Sequence, residues 1–211
     1  MHENFITLKA EKRDAIMNAA MMEFSSKGFA LASTNVIVSA AGISKGALFH
    51  YFKNKEDLFS FLCRYIFDIV VREYYEKIPR ADGDLLGRLR DASRLKQQLF
   101  RRYPYIFEFV KRLVKEPPGI LGEKATRQMH ETMNLGYQKI MDGLNISLFK
   151  DEIPPEKVKE LIFWSLEGYA NRKMEQVDGI TAGQLNEEEF ERELEEYLII
   201  LRRCYYKKEV I

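Results

Sequence analysis

The stretch Ser44-Lys45-Gly46-Ala47-Leu48-Phe49-His50-Tyr51-Phe52-Lys53-Asn54-Lys55 decides how the chain is read. It predicts a short helix, N-capped by Ser44, followed by a basic turn. A second short helix, near Asn35–Ala41, ends at Gly42 just upstream. Two short helices about a glycine-containing turn form a helix-turn-helix, which places one helix in the DNA major groove. Geometry alone also allows a plain helical hairpin inside a bundle.

Upstream, Lys9–Lys27 is predicted as a helix, because Ile16, Ala19, Ala20, Glu23 and Phe24 recur near a 3.6-residue period. Gly28 sits where a left-handed C-cap is expected. Ser33 and Thr34 are N-cap candidates for the next helix. The result is a three-helix head with a core of Ile16, Ala20, Phe24, Phe29, Ile37, Ala41, Ile43, Leu48 and Phe52.

Downstream, long helical patterns follow at Lys55–Ile78, Leu85–Arg101, Tyr105–Glu116, Ile120–Phe149, Pro155–Val177 and Leu185–Lys208. Pro, Gly and Asp separate them, and Asp178–Gly183 is expected as a loop. No segment alternates with the period of a strand. The expected fold is all-α: a three-helix head over 1–54 and a helical body over 55–211, about nine helices in total.

Composition narrows the function. The 211 residues are 46% hydrophobic with a formal charge of +1. This suits a globular protein and disfavours bulk-charge binding to nucleic acid or membrane, although a local basic footprint is compatible. Cys63 and Cys204 are isolated in helical patterns, as expected of reduced thiols in a cytoplasmic protein. The start, Met1–Leu8, lacks the features of a signal peptide. No run approaches the roughly 18 apolar residues of a membrane span. His2, His50 and His130 are scattered, and no phosphate loop or metal-ligand spacing is present. No catalytic residue, metal or cofactor is expected, and an enzyme is disfavoured.

The head resembles the DNA-binding domain of the tetracycline-repressor (TetR) family. The resemblance runs from Lys12 to Leu58 through Ile16, Ala19, Ala20, Phe24, Lys27-Gly28-Phe29, Ser33-Thr34, Ile37, Ala41 to Phe52, and Asn54-Lys55-Glu56-Asp57-Leu58. It covers the first quarter of the chain and implies a DNA-binding regulator, by default a repressor. Two positions depart from the family pattern. Phe49 stands where a tyrosine hydroxyl usually meets a phosphate, and Val36 stands where a polar residue is common.

Helix amino termini favour phosphates, so Ser33, Thr34 and Asn35 at one such end and Ser44 at another are candidate backbone contacts. Lys45 reaches a guanine or a phosphate, while Gly46 and Ala47 permit close approach to base edges. His50 and Tyr51 are long enough for the flanking backbone, and Lys55 brings a charge to a further phosphate. The resemblance supports Lys45, Tyr51 and Lys55 in particular. One head reads few base pairs, so a homodimer on a near-palindromic double-stranded operator is expected.

In the resembled family the last two helices form the dimer interface. Here they carry Trp164, Ser165 and Gly168, then Phe190, Leu194, Tyr197, Leu198 and Leu201. The second set could instead pack on its own body. A pocket for a small apolar or amphipathic effector is expected from Phe107, His130, Asn134, Tyr137, Phe163, Glu167 and Asn171. Solvent exposure explains His130 and Asn134 equally well. The resemblance implies linkage: the effector favours a body conformation that misplaces the two heads. An effector-independent architectural DNA-binding dimer is the competing reading.

Overall fold

The computed structural model describes residues 2–79, 83–116, 119–176 and 186–208. Among them the fold is all-helical: α1 Glu3–Ile6, α2 Ala10–Leu31, α3 Thr34–Ala40, α4 Lys45–Tyr51, α5 Lys55–Ile69, α6 Leu85–Arg102, α7 Ile106–Lys115, α8 Gly122–Met141, α9 Pro155–Gln176 and α10 Glu187–Tyr205. The expected loop at Asp178–Gly183 lies outside the described residues. No helix among the described residues is long and apolar enough to cross a membrane.

The helices form two compact units. The first runs up to Tyr74 and includes Gln98–Leu135; the second holds Tyr75–Gln97 and the chain from Gly136 onward. The 54/55 boundary expected from sequence falls inside the first unit.

In the first unit α2 is the central element, packed by α3, α5 and α7. Ile16, Ala20, Phe24, Ile37, Leu48 and Phe52 are buried, as their periodicity implies. Phe29, Ala41 and Ile43 are only half-buried. Phe59 of α5 joins Phe24 of α2 to Phe109 of α7, with ring centroids 4.9 and 6.0 Å away. Asp14 of α2 accepts from Arg102 Nε at 2.7 Å and from the Tyr103 hydroxyl at 3.0 Å, which fastens the end of α6 to α2. Burial lifts the Cys63 thiol of α5 to about 12, so this cysteine stays a protonated, unreactive core residue.

Helix α1 was not expected; four residues are too few to show a period. It buries Phe5 completely, against Phe52 at 5.0 Å and Phe61 at 5.3 Å. Two expected long helices are shorter than predicted. The pattern from Lys55 leaves α-geometry at Ile69 and continues as a π turn, Val70–Tyr74, and a 3-10 turn, Tyr75–Lys77. Just past the π turn, Tyr75 lies against Gly136, where a Cβ would stand 2.6 Å from the Tyr75 Cε1. The pattern from Ile120 stops at Met141 instead of Phe149, because Gly143 adopts left-handed backbone (φ 67°) and turns the chain. Phe149 instead pairs in an isolated antiparallel bridge with Tyr206.

That bridge belongs to a knot in the second unit. Tyr206 is fully buried, donates its hydroxyl to Asp84 Oδ1 at 2.7 Å and accepts the Leu86 amide at 3.3 Å. Asp84 also takes an ion pair from Arg202. Burial works to raise the Asp84 pKa, but the hydrogen bonds from Arg202 and Tyr206 outweigh it and hold the carboxyl below its ordinary value. The start of α6 is thereby joined to the end of α10. Arg90 and Arg94 of α6 continue the seam to Glu195, at 2.6 and 3.8 Å. Tyr169 of α9 packs on Phe190 and Tyr197 of α10, at 5.3 and 5.0 Å between centroids.

A carboxyl with a depressed folded-state pKa stabilises the fold above its unfolded pKa, and that stability is lost as pH falls through the folded value. Asp84→Asn should lower unfolding stability by about 2–3 kcal/mol at pH 7, as a lost charged hydrogen bond implies. It should also flatten the acid limb of stability below about pH 4. Urea unfolding at pH 7 and at pH 3 measures both effects; an equal loss at the two pH values would contradict the assignment.

Candidate nucleic-acid interface

The helix expected to read DNA is α4. Its N-cap Ser44 accepts the Ala47 amide through Oγ at 3.1 Å. The preceding turn needs Gly42, at φ 64°, and closes with the Ile43 amide on the Val38 carbonyl at 3.0 Å. Leu48 and Phe52 anchor the inner face of α4. The outer face leaves Lys45, Gly46 and His50 exposed, with Ala47 and Tyr51 half-buried. Tyr51 is braced edge-on by Phe5 at 5.6 Å and His50 at 5.3 Å. Lys45 makes no ion pair among the described residues, and α4 holds no acid, so this face is locally basic. Phe49 and Val36 are exposed, at 37% and 43%, so the two departures lie on the surface and not in the core.

Helix α3 starts at Thr34. Ser33 occupies its N-cap position without a side-chain cap; the Ser33 amide instead donates to Glu23 Oε1 at 2.9 Å. Asn35 is exposed and Thr34 half-buried. Lys55 differs from the other candidates. Its Nζ donates to the Ala30 and Ala32 carbonyls, both at 3.1 Å, and lies 4.9 Å from the Phe29 ring centre. The ammonium expected at a phosphate is held inside the head. What faces outward at this point is the amino terminus of α5, capped by Asn54, which accepts the Asp57 amide at 2.8 Å.

Three acids that sequence reasoning did not assign hold this surface in place. Glu23 is buried on the apolar face of α2. A carboxylate inside that 3.6-residue stripe was the available signal, since a buried acid requires donors. Glu116 Oε1 accepts the Phe29 amide at 3.2 Å and Arg112 Nε at 3.0 Å. Asp57 accepts the Lys53 amide at 2.9 Å and meets His2 Nε2 at 3.2 Å. Burial would raise the Asp57 pKa, yet the Lys53 amide and His2 together lower it.

The other two expected sites are redistributed. Leu194, Leu198 and Leu201 are 5, 2 and 6% exposed in the single chain, so they pack on their own body, which corrects their assignment to a partner. Phe190 and Tyr197 are half-buried against Tyr169. The outward apolar groups of the last two helices are Leu161 and Trp164 on α9, beside exposed Ser165 and Gly168, and Ile199 and Ile200 on α10. The expected pocket is corrected as well. His130, Asn134 and Tyr137 lie on the solvent side of α8, and Glu167 and Asn171 are exposed on α9. Phe107 and Phe163 are half-buried. The inward stripe of α8 is Ala125, Met129, Thr132, Gly136 and Ile140. It sits one residue, about 100°, from the chosen one.

Residues 16–61, which take in most of this head and the start of α5, match the family model described as "Bacterial regulatory proteins, tetR family". The head is thus similar to the DNA-binding domain of the TetR family. The transcriptional regulator RutR of Escherichia coli is 29% identical to this chain over 185 residues, covering 85% of this chain and 82% of RutR. The regulator AcrR of Shigella flexneri is 36% identical over 84 residues, 38% of each chain. A TetR-family regulator of known structure from Chloroflexus aurantiacus covers 98% of both chains with a TM-score of 0.61. At 18% identity that likeness speaks for the fold alone.

Ser44→Ala removes the cap of α4 and should destabilise the protein by about 1 kcal/mol. Urea unfolding at pH 7 reads this directly; an unchanged midpoint would show that the Ser44–Ala47 contact does not stabilise the helix.

Proposed function

We propose that this chain is a TetR-family regulator that works in the cytoplasm as a homodimeric repressor, released from a near-palindromic operator by a small-molecule effector. The observation that carries the reading is the capped, basic, acid-free outer face of α4, with exposed Lys45 and Gly46 on a buried Leu48–Phe52 anchor. Lys45, Gly46 and Ala47 meet base edges in the major groove. Ser33, Thr34, Asn35, Ser44, His50 and Tyr51 meet the phosphates on either side. Lys55 acts through its position at the amino terminus of α5, where free N–H groups attract a phosphate.

Residues up to Asn54 read DNA in this proposal, and the chain from Lys55 onward dimerises and senses. The dimer forms through the outward faces of α9 and α10. Leu161, Trp164, Ile199 and Ile200 supply apolar area, while Ser165 and Gly168 permit close helix approach. Release follows from the ties on the segment leading into α3. Glu116 of α7 and Lys55 of α5 both grip residues 29–32, so a ligand that favours a displaced α5 or α7 displaces α3 and α4. The effector is small and apolar or amphipathic, in keeping with the aromatic and methionine content of the body.

Lys45→Ala should weaken operator binding by about tenfold or more, as loss of a base or phosphate contact worth ~1–3 kcal/mol implies. It should also make the log–log salt dependence shallower by about one unit if the contact is to a phosphate. Fluorescence anisotropy on an operator selected from random duplexes, at several salt concentrations, measures both. Wild-type binding that ignores salt would refute the interface.

Ile200→Glu places a charge on the proposed dimer face. Light scattering should then give a mass near the single chain's 24.8 kDa, with operator affinity lost in parallel. A variant that stays dimeric would move the interface elsewhere.

A further inference from the structure

Among the described residues of the second unit, Arg88 of α6 is the most buried arginine, at 3% exposure. Its neighbours in that unit are each matched to an acid: Arg90 and Arg94 to Glu195, and Arg202 to Asp84. Those arginines are more exposed than Arg88. Arg88 pairs with no carboxylate among the described residues. Its Nη1 donates to the carbonyls that end α8, to Asp142 at 2.7 Å, Ile140 at 2.8 Å and Lys139 at 3.4 Å. This is a helix C-cap, and it fixes the guanidinium plane. On the other edge Nε and Nη2 are both buried and have no hydrogen-bond partner among the described residues.

That edge has a specific chemistry. Nε–H and Nη2–H point in parallel and match the two oxygens of a carboxylate or phosphate. A guanidinium is always charged, so burial cannot be relieved by losing the proton. Helix carbonyls offset part of the charge but leave these donors unmet, and buried donors without acceptors are strongly unfavourable. A cap alone needs only one nitrogen, which an exposed side chain would supply as well.

We propose that the Nε/Nη2 edge of Arg88 is an oxyanion site, and that the effector carries an acid group, a carboxylate or a phosphate, which this edge grips in bidentate fashion. The inference rests on the reading of the body as the sensing part and names the chemical class it senses. Binding of the acid neutralises Arg88, and through Nη1 it reaches the end of α8.

The experiment uses the full-length protein. Acetate, benzoate, octanoate and inorganic phosphate are titrated by calorimetry and thermal melting, beside the neutral analogues acetamide, benzamide and octanamide. At least one of the oxyanions should bind and raise the melting temperature, with its amide about tenfold weaker or worse. Carboxylate binding and phosphate binding separate the two sources of the oxyanion. Arg88→Met should weaken the anion about tenfold or more, and Arg88→Lys, which keeps the charge without the fork, should fall between. If Arg88→Met does not fold, the acid-against-amide comparison on the wild type still decides. Amides that bind as well as acids, or the absence of binding by every anion, would overturn the site. Operator anisotropy in the same titrations separates this from the regulator reading. Release by amides alone keeps the regulator and removes the Arg88 site. Anion binding at Arg88 with unchanged operator affinity keeps the site and removes the sensing role.

Discussion

The segment Gly28–Ser33 is the constraint on which the placement of α3 and α4, the proposed DNA-reading surface, depends. Gly28 leaves helical geometry at φ 70° and ψ 172°, and this break frees the backbone groups that follow. Each has a charged partner from a different element. The Phe29 amide goes to Glu116 of α7, the Ala30 and Ala32 carbonyls go to Lys55 of α5, and the Ser33 amide goes to Glu23 of α2. A Cβ at Gly28 would collide with the Arg112 guanidinium and stand 2.8 Å from the Glu116 carboxylate. The segment is therefore held by three side chains, and its position fixes where α3 begins. Helix α4 follows α3 across a turn that Gly42 permits, so the reading helix inherits the same constraint.

The second unit solves a different problem with similar chemistry. Its helices come from two stretches far apart in sequence, Tyr75–Gln97 and the chain from Gly136 onward. Asp84 and Tyr206 close that distance with a pair |i−j| of 122 residues, reinforced by Arg202 and by the Phe149–Tyr206 bridge. Charge that could be exposed is used along the α6–α10 seam, where Arg90 and Arg94 meet Glu195 and contribute modestly because they remain partly solvated. Arg88 stands apart from this pattern: it is deeper than any of them and pairs with no carboxylate among the described residues.

Helix periodicity found the stripes but not always their direction. On α10 the stripe Leu194, Leu198 and Leu201 is real and faces the chain's own core, so the surface available to a second copy is the adjacent Ile199–Ile200 strip. On α8 the polar stripe His130, Asn134 and Tyr137 is equally real and faces solvent. In both cases a shift of one residue rotates the side chain by about 100°, which is enough to exchange inside for outside. Proline and glycine marked most helix ends correctly. The exceptions were the π turn after Ile69, which has no breaker residue, and Gly143, which alone did not distinguish a tolerated glycine from a stop.

The sequence by itself determined the all-helical class, the helix-turn-helix pattern and the head's likeness to the TetR family, because these rest on local signals: a 3.6-residue period, capping residues and fixed spacing between Lys12 and Leu58. Only the tertiary structure decided which partners the charged side chains take. Lys55 turns inward to two carbonyls, Glu116 reaches back 87 residues to the Phe29 amide, and Arg88 is buried with half of its guanidinium unmatched. Long-range pairing of this kind leaves no trace in local periodicity, since it is set by how helices distant in sequence meet when the core closes.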